Sequence, residues 1–246
     1  MELKQLKERY GIQEIMFEDD NLTLNPARAE AIFDSMINEK LDLEWDTPNG
    51  VAAWTLTEGL IDKMKRSGCR TINFAIESGN QHVLDMIIKK PLNIEKVKPL
   101  VRYAQKIGLN VGIFLVIGTP GETEEQMWES FRMAEELGIY TPHISIATPY
   151  PGSELYALCK ERNLLRQDFS LNDLYIRGFA ISGSEFENTK LRKIFADGQR
   201  YLLISFLKKR PLAFISITIR KLFIDPDGFI KKLSAFFLSK DWGKLR

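Results

Sequence analysis

The 246 residues are 44% hydrophobic and 27% charged, with a formal net charge of +1. That length and composition exclude a disordered segment and allow a substantial core, in one large domain or one domain with an appendage. Two cysteines, Cys69 and Cys159, ninety positions apart, exclude a disulfide framework and a cysteine-rich metal motif, and they suit a reducing cytoplasm.

The near-neutral total hides an asymmetry. Residues 201–246 carry ten Lys/Arg against three Asp, a net +7, so residues 1–200 sum to −6. No nucleic-acid partner is indicated by this balance. The opening residues read as a charged amphipathic helix start, and no signal peptide is expected from them. The longest uncharged stretch of the tail, 211–219, is far short of the ~20 residues a membrane span needs.

Helix and strand alternate from the beginning. Leu3, Leu6 and Tyr10 share one helical face, and Gly11 ends that helix. A first strand over 12–17 leads into Glu18-Asp19-Asp20-Asn21. Pro26 opens a helix to about 40, with Ala27, Ala31, Ile32, Met36 and Ile37 as its apolar stripe. A second strand falls at 43–47. Thr57 caps the next helix, with Leu60, Ile61 and Met64 inward, and Gly68 stops it. The third strand, 71–76, ends in Glu77-Ser78-Gly79-Asn80. One helix then runs to about 88 and another over 94–107, closing at Gly108.

The chain is organised around its fourth strand. Residues 111–117 are a nearly continuous apolar run, as in a parallel strand covered on both faces. Gly118, Pro120 and Gly121 break it, and Thr123 with Gln126 has capping-box spacing for a helix over 124–137. A fifth strand at 144–147 leads into Thr148-Pro149-Tyr150-Pro151-Gly152-Ser153 and a helix over 154–161. Strands recurring every 27–40 residues with helices between predict an α/β fold, a right-handed parallel barrel-like sheet. Past about 165 the character changes. Residues 166–187 read as loop, and 188–208, 211–223 and 227–239 as helices. The predicted organisation is therefore a barrel over 1–165 and a basic, apolar-rich helical region over 166–246.

Strand tips in a parallel barrel converge on one rim. Here they would bring carboxylates at Asp19, Asp20 and Glu77 beside two glycine- and proline-rich turns. Carboxylates pair with an ammonium or accept from ribose hydroxyls, and bare backbone can lie against a flat heterocycle. Glu77 is the more informative, since a charge placed directly after a buried strand needs a partner. Lys89 reads as a solvated helix end and Lys90 as either that or a contact to a ligand carboxylate. His82 reads as a surface residue, and His143 and Cys69 as structural. There is no Walker loop, nucleophile elbow or dinucleotide fingerprint, and no zinc-type set.

Taken in order, the tips FEDDNLT (17–23), FAIESGNQHVL (74–84), IKKPL (88–92), GIFLVIGTPGET (112–123) and ATPYPGSELY (147–156) resemble the radical S-adenosylmethionine (radical SAM) proteins. Within them the match is to the branch that usually carries an N-terminal cobalamin (B12)-binding domain. The resemblance covers about residues 1–165 and implies a partial (βα)6 barrel. Asp19 and Asp20 would stand where the family holds the methionine amine of SAM. Glu77 and Ser78, with Lys90 beside them, would meet its ribose or carboxylate. The backbone of Gly118, Thr119, Pro120, Gly121 and Glu122, with Thr148 and Pro149, would cradle the adenine. In the family a [4Fe-4S] cluster reduces SAM to a 5'-deoxyadenosyl radical, and cobalamin-binding members often methylate unactivated carbon. No catalytic or metal-ligating residue of this chain is assigned by the resemblance.

The chain departs from the family at the cluster. The expected C-x-x-x-C-x-x-C loop after the first barrel strand is absent, and neither Cys69 nor Cys159 replaces it. The expectation is a C-terminal part of a radical SAM enzyme, truncated or split, with five of six barrel strands and inactive alone. Its cluster and cobalamin sites would lie on missing N-terminal sequence. Partners would then be a small-molecule substrate and that missing part as a separate chain. Two alternatives are a non-catalytic SAM- or nucleotide-binding remnant or interaction module, and a divalent-metal barrel lyase using Asp19, Asp20 and Glu77. The basic tail, 201–246, reads either as packing on the barrel or as peripheral contact with an anionic membrane surface.

Overall fold

The computed structural model describes residues 2–166, 169–170, 174, 179–182 and 188–224. In chain order these form α1 (Glu2–Tyr10), β1 (Glu14–Met16), α2 (Pro26–Asn38), β2 (Glu44–Asp46), α3 (Glu58–Arg66), β3 (Cys69–Glu77), α4 (Ile94–Lys106), β4 (Asn110–Ile117), α5 (Glu124–Glu136), β5 (His143–Ile146), α6 (Glu154–Glu161), α7 (Asn188–Lys209) and α8 (Pro211–Ile224). A 3-10 turn, Ala53–Thr55, follows β2, and a π-helix, Val83–Ile88, follows β3. The five strands form one sheet in the order β1-β2-β3-β4-β5, and β1 to β4 pair in parallel. This is the α/β architecture of a partial (βα) barrel, as the strand spacing predicts. None of the described helices is long and apolar enough to cross a membrane.

The chain divides into two compact units, Met1–Ile117 with Pro142–Ser145, and Gly118–Thr141 with Ile146–Arg246. In the first, the core is built on the helix-facing side of the sheet. Trp45 of β2 is 1% exposed, stacks on Phe33 of α2 at 5.1 Å and meets the edge of Phe17. Its indole N–H donates to the Ser67 carbonyl at 3.1 Å, so the one polar atom of the ring is satisfied on burial. Ile72, Phe74 and Ile76 of β3 and Ile113, Leu115 and Ile117 of β4 are buried beside it.

Two helix faces differ from those the spacing suggests. Helix α2 buries Ala29, Phe33 and Met36, whereas Ala27 and Ala31 are exposed. The row 29, 33, 36 has the same helical period, and the large Phe33 ring, seated on Trp45, sets which row turns inward. Helix α1 buries no residue, and Tyr10 is exposed. The N-terminal signals are present as read: Asn25 caps α2 before Pro26, Thr57 caps α3, and Thr123 and Gln126 close a reciprocal capping box on α5.

In the second unit α5 packs on α7. A Cβ at Gly198 of α7 would lie 2.2 Å from the ring of Phe131 of α5, so the contact admits no side chain. Trp128 meets Tyr201 edge-on, Tyr201 donates to Glu135, and Lys209 pairs with Glu135 at 3.1 Å. Tyr140 stacks on Phe206 at 4.9 Å, and Phe206 meets Phe214 of α8 edge-on. Within 166–187, read from sequence as loop, Ile181 bridges Leu165 in antiparallel fashion, and Phe179, Ala180 and Ile181 are buried. The pattern there was too short to show a strand pair. The helix expected over 227–239 lies outside the described residues.

Candidate functional site

In the first unit the carboxyl end of β3 carries the densest set of anticipated residues. The β3–β4 register shifts between Ala75 and Glu77, and Glu77 takes a left-handed backbone, φ 76°. A non-glycine residue there costs of order 1 kcal/mol or more and persists only when its surroundings hold it. What holds Glu77 is Lys90, whose Nζ donates to Oε1 at 2.8 Å, with the two side chains 12% (Lys90) and 23% (Glu77) exposed. The Lys90 ammonium also lies 5.2 Å over the ring of Trp54, the central residue of the 3-10 turn.

Backbone geometry delivers Lys90 to that position. The π-helix ends with Lys89 in the left-handed conformation, φ 58°, and the Lys90 N–H donates to the Leu84 carbonyl at 2.8 Å. Ser78 is fully buried, and its Oγ accepts from the Asn80 N–H at 3.1 Å. Asn80 in turn accepts from the Val83 N–H, and Gln81 bonds the Leu92 carbonyl and the Ile94 N–H. The segment 77–94 is thus tied at each turn, so Glu77, Ser78 and Lys90 sit together.

Asp19 and Asp20 are placed differently. Asp19 accepts from Arg28 at 2.8 Å and from the Asn21 N–H at 3.1 Å. The Arg28 hydrogen bond, and then that N–H, hold its carboxyl below the ordinary value. Asp20 is exposed. Asn21 instead reaches into the fold, its Oδ1 accepting from the Ala52 N–H at 3.0 Å. A residue not anticipated as a site member, Asp46, ends β2 with Oδ1 buried and unpartnered. It lines a cavity of about 310 Å3 with Glu14, Met16, Glu44 and Arg70 among its walls. Unlike Glu77, Asp46 closes a short strand that is itself charged, Glu44-Trp45-Asp46, so no run of apolar residues marked it in the sequence. Trp54 carries no such signal either.

In the second unit the Gly118–Glu122 turn is organised from inside by Glu122, which is 0% exposed. Its Oε2 accepts from the Gly118 N–H at 2.8 Å, the Thr119 N–H at 3.1 Å and the Thr119 hydroxyl at 3.0 Å. Its Oε1 is buried with no hydrogen-bond partner. Burial pushes its carboxyl up to about 7, and the three donors oppose that rise. Glu122 therefore shapes the backbone of the turn. Gly118 has φ 81°, which favours glycine, and a Cβ there would meet the terminal methyl of Leu191 of α7 at 2.7 Å, so that side chain would have to shift. Pro120 is buried. In the last turn Thr148 donates to the Ile146 carbonyl at 2.9 Å, its own carbonyl accepts from the Tyr150 N–H, and Pro149 is buried.

The carboxylates do not assemble a metal centre. Asp19 is taken up by Arg28 and Glu77 by Lys90, and among the described residues no group of three or more His, Cys, Asp or Glu could hold a metal ion. The divalent-metal alternative therefore lacks its ligand set. Nor do the thiols fit an iron–sulfur cluster, which needs several thiolates. Cys69 and Cys159 are both buried, in different units. Desolvation, with Asp46 adding its charge, pushes the Cys69 thiol up, and burial raises Cys159 to about 11.

The model of the radical SAM superfamily matches residues 1–134, more than half of the chain. The chain belongs to the radical SAM superfamily. Its relatives include cytidylyl-2-hydroxyethylphosphonate methyltransferase of Streptomyces wedmorensis, 39% identical over 69% of this chain and 33% of that protein. An uncharacterised methyltransferase of Pyrococcus horikoshii is 37% identical over 67% of this chain and 35% of that protein. This chain thus spans about a third of the length of these relatives. Among solved structures, the radical SAM methyltransferase TsrM from Kitasatospora setae, with cobalamin and a [4Fe-4S] cluster bound, superposes with a TM-score of 0.58 at 18% identity. That superposition covers 67% of this chain and 33% of TsrM. The cobalamin-dependent radical SAM enzyme OxsB gives 0.56 at 14% identity, over 96% of this chain and 44% of OxsB. These superpositions establish a shared radical SAM-type barrel fold.

Proposed function

We propose that this chain is the SAM-binding part of a radical SAM enzyme of the cobalamin-associated branch, serving methyl transfer or 5'-deoxyadenosyl-radical chemistry on a small molecule in the cytoplasm. The observation that carries the reading is the family match over residues 1–134, which contains both the Glu77–Lys90 pair and the Gly118–Glu122 turn. The methyltransferase names of the two relatives at 37% and 39% identity favour methyl transfer.

In this reading the roles divide by chemistry. Glu77, held by Lys90, and Ser78 would bind the ribose or carboxylate of SAM, and Asp19 with Asp20 its ammonium. The backbone of Gly118, Thr119, Pro120 and Gly121, set by Glu122, and of Thr148 and Pro149 would lie against the adenine. The thiolates of a [4Fe-4S] cluster would come from polypeptide outside these 246 residues, since Cys69 and Cys159 do not fit one, and no radical step runs through this chain's own side chains. The second reading, a SAM-binding protein without redox activity, is favoured by the same two buried thiols.

Equilibrium dialysis of radiolabelled SAM against the full chain tests the shared part of both readings. Saturable binding, weakened at least tenfold by Glu77→Gln, is expected. No saturation at millimolar SAM, from a chain that unfolds cooperatively, would remove both. Binding that persists but supports no SAM cleavage when a polypeptide carrying a C-x-x-x-C-x-x-C cluster is supplied in trans would select the second.

A further inference from the structure

Residues 201–224 contain five basic residues, Lys208, Lys209, Arg210, Arg220 and Lys221, and no acidic one. They include α8, whose side chains are apolar but largely uncovered. Leu212 and Phe223 are 82% and 83% exposed, and Ile215, Ile217, Ile219 and Ile224 are also exposed. At 100° per residue, positions 212, 215, 219 and 223 fall within about an 80° arc, a continuous apolar row along the helix. Phe214, half-buried, takes the other side and meets Phe206 of α7. Single exposed apolar residues are ordinary; a row of this kind marks a surface that something covers.

Charge decides what that is. Lys209 pairs with Glu135, but a second copy would still set Lys208, Arg210, Arg220 and Lys221 against their own counterparts, with no acid in α8 to offset them. Residues 225–246 are themselves basic, with five Lys/Arg against three Asp. An anionic bilayer satisfies both features, since it takes an apolar face into its interface and attracts juxtaposed Lys and Arg. At fourteen residues α8 is about 21 Å long, suited to lying in the interfacial plane. We propose that α8, with the Lys208–Arg210 corner before it and Arg220 within it, docks this protein peripherally on an anionic phospholipid surface. The inference is independent of SAM binding.

Flotation of the full chain with phosphatidylcholine vesicles containing 30% phosphatidylglycerol, against phosphatidylcholine alone, provides the test. The protein is expected to float with the anionic vesicles and to be released by 0.5 M salt. Ile215→Glu with Ile219→Glu should abolish partitioning. Lys208→Gln with Arg220→Gln should weaken it roughly 25-fold, from about fivefold per cation. Lys209 is left in place because it pairs with Glu135. All four substituted side chains are exposed, so circular dichroism should be unchanged. Failure to float with anionic vesicles, equal flotation with both compositions, or variants that float like the parent would each overturn the proposal. A dimer in light scattering that the double glutamate variant disperses, with no flotation, would assign the face to a second copy instead.

Discussion

Glu122→Gln isolates the electrostatics of the Gly118–Glu122 turn. Glutamine has the same shape and keeps one oxygen to accept from the Gly118 and Thr119 N–H groups, while placing an uncharged amide where Oε1 is buried without a partner. In the folded chain the Glu122 carboxyl lies at about 7 against an ordinary 4.5. A raised carboxyl means that folding favours the protonated form. Its contribution is present in full below 4.5, falls as pH rises from there to about 7, and is then constant. At 1.36 kcal/mol per pH unit this interval corresponds to about 3 kcal/mol. Part of that change is already past at pH 5, so urea unfolding at pH 5, 6, 7 and 8 should show Glu122→Gln gaining on the parent by about 2.5 kcal/mol in total, mostly before pH 7. Parallel pH dependences for the two proteins would refute the reasoning and place the buried carboxylate in a solvated or otherwise compensated setting.

Gly198→Ala should destabilise although alanine is the better helix former by about 1 kcal/mol, because the new methyl would meet the Phe131 ring. A net loss of about 1–3 kcal/mol in urea unfolding is expected, and a gain would refute the close contact. Lys90→Met should cost about 1–3 kcal/mol by leaving the Glu77 carboxylate unpaired in its strained position, whereas Lys90→Met with Glu77→Gln should recover part of that loss. Absence of recovery in the double variant would show that the two do not act as a pair.

The alternation of strands and capped helices was legible because each signal is local. The capping box of Thr123 and Gln126, the Asn25 and Thr57 caps and the apolar run of β4 depend on residues within a few positions of one another. Of the candidate site, Glu77 announced its need for a partner by its place after a buried strand. The resemblance set Lys90 near Glu77, as a contact to the ligand; that it is instead the partner of Glu77, covered by Trp54, was not legible, because a π-helix and a left-handed Lys89 bring it there.

What the sequence alone determined is therefore the order and type of elements and the family to which the strand tips belong. The tertiary structure decided which faces and which atoms those elements use. It turned α2 so that Phe33 meets Trp45, gave Asp19 to Arg28, and committed Glu122 to the inside of its own turn. The physical reason is the range of the forces involved. Caps, turns and periodicity are set by neighbours along the chain, whereas ring packing, ion pairing and desolvation depend on which side chains separate elements bring together once folded, as with Phe33 of α2 on Trp45 of β2 and Leu191 of α7 over Gly118.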